Sequence, residues 1–201
     1  MAKRESTRLE AIVLAAGAGR RFGGRKLVAP FRGRPLIAGA LDAAFAAPVR
    51  TVTVVTAGDA EVAATVRDHA RSLEREADLR LVVADSAAEG MGASLRTGAA
   101  SLPADTEGAF VFLGDMPRIP REVGRVLVAL LDTDHDMAAP AFKGRRGHPV
   151  LFGQAWLPAL LGLVGDVGAQ AIVASAGARL AVADGFGPEI LFDIDRREDL
   201  A

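Results

Sequence analysis

The chain has 201 residues, with 24 lysines and arginines against 25 aspartates and glutamates and a formal charge of −1. Half of the residues are apolar and 24% are charged, the balance of a soluble globular protein, and the length suits one α/β domain over residues 1–201 better than two very small ones. Near-neutrality excludes a global basic field for nucleic acid. The absence of cysteine excludes disulfides and thiolate metal sites and fits a reducing cytoplasm. The charged residues 1–10 carry no apolar signal segment, and no apolar run approaches the roughly 20 residues that span a bilayer.

Taken in chain order, residues 11–16 read as a buried strand that runs straight into glycine. A helix is predicted over 35–47, with Pro35 suited to its first turn. Residues 51–56 form a second strand, rich in β-branched side chains. Asp59 can cap a helix running to about residue 76. A third strand covers 79–84, and a helix over 91–102 opens from a glycine-rich turn. Residues 109–113, Ala-Phe-Val-Phe-Leu, are apolar on both faces, as in a central strand covered by helices. A helix over 120–132 is followed by two strands, 136–141 and 148–152, around the charged turn Lys143-Gly-Arg-Arg-Gly147. Helices over 155–163 and 169–176 and strands over 180–183 and 190–195 complete the pattern. Alternating strands and helices specify an α/β fold, a three-layer α/β/α sandwich on a mainly parallel sheet, with an antiparallel element from the later strand pair.

The glycine loop Gly17-Ala-Gly-Arg-Arg-Phe-Gly-Gly-Arg-Lys26 follows the first strand, which puts it at the carboxyl edge of the sheet where ligands bind in open α/β folds. Its glycines let backbone N–H groups approach phosphate oxygens, and Arg20, Arg21, Arg25 and Lys26 add four cations. It reads as a polyanion site or as a solvated basic turn. Its spacing matches neither a P-loop nor a dinucleotide fingerprint, which leaves a nicotinamide dehydrogenase open only on an imperfect glycine triplet.

Asp115, in Gly114-Asp-Met-Pro117 after the strongest strand, lies at the same edge. A carboxylate there holds Mg²⁺ against phosphate oxygens, or caps a turn. In an extended segment Asp193 and Asp195 point to one face, so Asp195 completes a metal shell with Asp115 or caps the last turn. Glu89-Gly-Met-Gly-Ala-Ser94 opens a helix whose free N–H groups, with Ser94, can meet a base or ribose. Gly165-Asp-Val-Gly168 is a further ligand loop or a cap. The three histidines, His69, His135 and His148, lack metal-ligand spacing, and His148 is placed to touch an anionic substrate. No nucleophile elbow occurs.

Together these segments resemble the molybdenum cofactor nucleotidyltransferases. The matching stretches are Leu14-Ala-Ala-Gly-x-Gly-x-Arg-x-Gly23 with Lys26, Pro30, Gly33-Arg-Pro-Leu36, Glu89-Gly-Met-Gly-Ala-Ser-Leu95, Gly114-Asp-Met-Pro117, Gly144-Arg-Arg-Gly-His-Pro-Val-Leu151, Gly165-Asp-Val-Gly-Ala169 and Asp193-Ile-Asp195. They recur in the same order over nearly the whole chain. The likeness is greatest to the cytidylyltransferase branch, which attaches CMP to the pterin cofactor.

The resemblance implies a fold of the nucleotide-diphospho-sugar transferase type. It implies a nucleotide site at Ala15, Ala16, Gly17, Gly19, Arg21 and Lys26, with Lys26 and Arg21 catalytic. Base contacts fall at Gly90, Gly92 and Ser94, and Mg²⁺ on Asp115 and Asp195. The acceptor side falls at His148, Asp166 and Gly168. Ala16 stands where the guanylyltransferase branch usually has glycine, which favours CTP. His148 replaces a common asparagine and Gln170 an arginine, so other phosphorylated acceptors, GTP, and an NAD(P)H-dependent oxidoreductase on a related scaffold stay open. The implied partners are CTP, the molybdopterin cofactor and a molybdoenzyme that receives the product, with no nucleic acid and no membrane.

Overall fold

The computed structural model describes residues 8–17 and 19–200; residues 1–7 of the charged start, Ala18 of the glycine loop and Ala201 lie outside the described residues. The strands are β1 (Leu9–Ala15), β2 (Pro30–Phe31), β3 (Arg34–Pro35), β4 (Val52–Thr56), β5 (Leu79–Val83), β6 (Gly108–Leu113), β7 (Met137–Phe142), β8 (Arg145–Arg146), β9 (Val150–Gly153) and β10 (Leu180–Ala183). The α-helices are α1 (Ala38–Ala46), α2 (Ala60–Ser72), α3 (Met91–Ala100), α4 (Val123–Val128), α5 (Leu157–Leu161) and α6 (Gln170–Ser175).

The main sheet runs β10-β7-β9-β6-β1-β4-β5, and β8 pairs with β7 off this path. All neighbours along it are parallel except at β9, which is antiparallel to both β6 and β7. The mainly parallel α/β/α sandwich expected from the alternation of elements is therefore present, and the later strand pair supplies its antiparallel member.

Side chains along β1 alternate between two cores. Ala11, Val13 and Ala15 pack with Leu41, Val62, Val66, Val123 and Leu127 of α1, α2 and α4. Ile12 packs with Leu95, Ala99, Leu160 and Val173 of α3, α5 and α6. The period of two in a strand separates these layers. The one acid inside β1, Glu10, is 1% exposed and is satisfied by Arg50 Nε at 2.7 Å and the Thr51 amide at 3.1 Å.

Several expected elements differ, among them the helix expected over 120–132, which is α-helical only over Val123–Val128. The helix placed at 35–47 begins at Ala38. Before it, Pro30–Phe31 and Arg34–Pro35 close a small hairpin around Arg32 and Gly33, whose φ angles are 51° and 80°. Two consecutive left-handed residues turn the chain tightly, and the residues ahead of α1 are used up in that turn. The strand expected at 190–195 is absent. Pro188–Leu191 form a turn of 3₁₀ helix, and the chain beyond it crosses the carboxyl edge of the sheet instead of joining it, tied by the Ile194 amide to the Asp115 carbonyl at 3.1 Å. Among the described residues no helix is long and apolar enough to cross a membrane.

Candidate active site

β1 and β6 are parallel neighbours with Leu14 opposite Leu113, so the glycine loop after β1 and Asp115 after β6 emerge side by side. The loop is anchored by Phe22, 2% exposed. It closes on one carbonyl, because the amides of Phe22, Gly23 and Gly24 all donate to Gly19 O at 3.0–3.1 Å. Lys26 follows, with its side chain 11% exposed, and its ammonium reaches Asp115 Oδ2 at 2.7 Å and Asp195 Oδ1 at 3.5 Å. Arg21 Nη1 pairs with the second oxygen of Asp195 at 3.2 Å. Of the four cations expected in the loop, Arg25 turns away and pairs with Glu61 of α2.

The chain crossing the edge brings a third carboxylate. Burial pushes the Asp193 carboxyl above its ordinary value, and the negative charges of Asp115 and Asp195 act in the same direction. Asp193 and Asp195 reach the site because the crossing segment passes beside Asp115, not because a strand aligns them.

Arg196 and Arg197 were missed as site residues by the sequence reading, which saw only a terminal turn. With Arg21, Phe22 and Glu198 they line a pocket of about 430 Å³ beside the glycine loop. Arg197 Nε donates to Phe22 O at 3.1 Å, and its guanidinium lies 5.0 Å from the Phe22 ring. The adjacent arginines were legible as charge, but nothing local placed them against a loop 175 residues away.

Two carboxylates that bracket one ammonium ion form a hard-oxygen site of the kind that holds Mg²⁺ or Mn²⁺. Among the described residues no group of three or more His, Cys, Asp or Glu side chains is arranged to hold a metal. Asp115 and Asp195 are the carboxylate pair that would hold a divalent cation at this edge.

The second ligand segment differs from expectation. The amides at the start of α3, expected to be free for a base or ribose, are all taken. The Met91 amide donates to Asp166 Oδ1 at 3.2 Å. The Gly92 and Ala93 amides donate to Gly165 O at 3.0 and 3.3 Å. Ser94, 4% exposed, turns its hydroxyl onto Gly90 O at 3.3 Å. Asp166 therefore caps α3 from a distant loop, and Gly168 sits near Met91, where an added Cβ would lie 3.3 Å from its sulfur.

His148 enters β9 beside β6. Burial lowers its pKa, while the Val111 backbone and the charge of Asp115 pull the other way. Its Nδ1 is buried without a partner, as is Arg118 Nε, the two such side-chain atoms among the described residues. The sequence reads His148 as able to touch an anionic substrate; in the structure its imidazole lies within the field of Asp115.

Residues 11–181 match the profile of the MobA-like NTP transferase domain. The chain belongs to that family. It is 32% identical over 170 residues to the nicotine blue oxidoreductase of Paenarthrobacter nicotinovorans, covering 79% of this chain and 78% of that protein. It is 30% identical over 197 residues to the purine catabolism protein PucB of Bacillus subtilis strain 168, covering 94% and 92%. The crystal structure of Rv0371c from Mycobacterium tuberculosis H37Rv superposes with a TM-score of 0.75 at 25% identity, covering 96% of both chains. A complex of that mycobacterial protein with manganese superposes at 0.70, again at 25% identity and 96% of both chains. The family supports a nucleotidyltransferase, and the mycobacterial neighbour was solved with manganese.

Proposed function

We propose that this protein transfers CMP from CTP, with a divalent cation, to the terminal phosphate of the molybdenum–pterin cofactor, releasing pyrophosphate in the cytoplasm for delivery of the product to a molybdoenzyme. The observation that carries the reading is Lys26, held between Asp115 and Asp195 beneath a glycine loop. Cations and carboxylates interleaved at one sheet edge suit a metal-bound triphosphate. Ala16 favours CTP through its resemblance to the cytidylyl branch.

In the reaction an acceptor phosphate oxygen forms a bond to the α-phosphorus as the bond to the β-phosphate oxygen breaks in line. A phosphomonoester is already largely ionised near pH 7, so no general base is required, and the site needs no charged histidine. Lys26 and Arg21 offset the charge that builds on the leaving pyrophosphate. Asp115 and Asp195 would hold Mg²⁺, which when bound neutralises phosphate charge. The glycine loop aligns the chain of phosphates with the acceptor.

Thermal stabilisation by CTP, GTP, UTP and NADPH, each with and without Mg²⁺, tests this, because a ligand of the native state raises the melting temperature. A CTP shift that requires Mg²⁺ and is lost in Asp115→Ala is expected. An NADPH shift alone would overturn the reading and favour an oxidoreductase, the activity named for the P. nicotinovorans relative.

A further inference from the structure

On the α1 side of Asp115, a second pocket of about 330 Å³ is bounded by Phe31, Arg32, Arg34, Leu36, Gly39 and Arg118. Its volume lies within the range of small-ligand sites. Arg118 is its least ordinary feature. The guanidinium stacks 3.9 Å from the Phe192 ring and 5.6 Å from the Phe31 ring. Its Nε is buried without a hydrogen-bond partner, and among the described residues it makes no ion pair. A guanidinium that lies against two neighbouring rings and has no carboxylate partner is costly to desolvate without an anion nearby.

Arg32 adds a second guanidinium from the corner of the β2–β3 hairpin. It lies 5.5 Å from the Phe31 ring and, among the described residues, is also without an ion pair. Its φ is 51°, a left-handed conformation that glycine or asparagine would adopt with less strain. A bulky cation in that position departs from local preference, as residues at ligand sites do. Arg34 is the third. It shares Asp42 with Arg121, at 2.8 and 2.9 Å. Arg32, Arg34 and Arg118 therefore line the pocket, with Asp42 as the one acid paired to any of them among the described residues, and such a concentration of one sign in a concave wall attracts anions.

We propose that this pocket binds a small organic polyanion, a phosphate- or carboxylate-bearing molecule gripped by the Arg32 and Arg118 forks, as a site separate from the nucleotide edge. Guanidinium forks match both groups geometrically, and the pocket shares no lining residue with the one beside the glycine loop and includes neither Asp115 nor Lys26. The proposal goes beyond the nucleotidyl-transfer reading and does not depend on it.

The test is calorimetric titration of pyrophosphate and, separately, citrate into the full chain carrying Lys26→Ala with Arg21→Ala and Arg197→Ala, which together remove the cations of the glycine-loop site. At least one of the two should bind, and which one does distinguishes a phosphate from a carboxylate ligand. Adding Arg32→Asn or Arg118→Met should weaken that binding by tenfold or more. Arg32→Asn should at the same time hold or raise the melting temperature without ligand, because asparagine relaxes the turn, and in the otherwise native chain it should leave any Mg·CTP shift in place. Arg32 is at an exposed corner, so this variant keeps the test open should Arg118→Met fail to fold. No binding of either anion to the chain carrying those three alanines, or affinity unchanged by Arg32→Asn, would overturn the proposal.

Discussion

Replacing Gly39 by alanine tests how closely the sheet edge that carries Asp115 is tied to α1. A Cβ at Gly39 would lie 2.5 Å from the carbonyl carbon of Pro117 and 2.8 Å from its Cα, and closer still to its oxygen. Ordinary contact begins at 3.4 Å, so the carbonyl carbon of Pro117 has to retreat by about 0.9 Å and its oxygen by more. The helix cannot yield instead, because Ala38, Ala40 and Leu41 are only 2%, 0% and 0% exposed. Overpacking of this size costs about 1–3 kcal/mol. In an uncrowded helix the same change would stabilise by about 1 kcal/mol through propensity, so the sign alone is diagnostic. Asp115 is two residues before Pro117, and a misplacement near 1 Å at a catalytic group can reduce turnover about 100-fold. Urea unfolding would read the stability, and pyrophosphate release over a Mg²⁺ series the activity. A Gly39→Ala chain that is more stable than the parent, with unchanged turnover, would refute the reasoning.

Asp42 should behave as a stability centre distant from the chemistry. Burial alone would raise its pKa, but hydrogen bonds from His69, Arg121 and Arg34 hold the carboxyl well below the usual range. Asp42→Asn is expected to cost about 1.5–2 kcal/mol by urea unfolding, the lower part of the range for hydrogen bonds to charged groups because Arg34 and Arg121 are over half exposed. The depressed pKa gives the pH sign. The contribution is full above the unfolded value of about 3.9 and drains away as pH falls below it. Acid titration of stability should therefore be shallower in Asp42→Asn than in the parent. Asp166→Ala removes the cap on the Met91 amide and should cost about 1 kcal/mol, with faster hydrogen exchange at that amide; Asp166→Asn, which keeps an acceptor oxygen, should recover most of it. Lys26→Ala should abolish most nucleotidyl transfer, read as pyrophosphate release, while remaining folded.

Much of the molecule was legible from local pattern. The apolar run at 109–113 and the alternation of elements carried the α/β class, because strand and helix periods are properties of neighbouring residues. Asp59 was legible as a cap and accepts from the Glu61 and Val62 amides. The last strand was misread because Ile190 and Ile194 gave apolar spacing, while the edge they cross was already formed by other strands. Pro35 misled for a related reason: it suits a helix start, but the left-handed corner at Arg32 and Gly33 committed it to the hairpin first.

By itself the sequence determined which residues were available for anion chemistry and which strand ends would carry them. The glycine loop and Asp115 each follow a strand, and that placement is local. Only the tertiary structure decided that β1 and β6 are neighbours, and so that Lys26 meets Asp115 across 89 residues. It also decided that Asp166 fills the start of α3, which a sequence reading leaves open, and that Arg118 stacks on Phe192. Each of those outcomes depends on which distant surfaces pack together. That choice is set by burying the two faces of one sheet, which no short stretch of chain encodes.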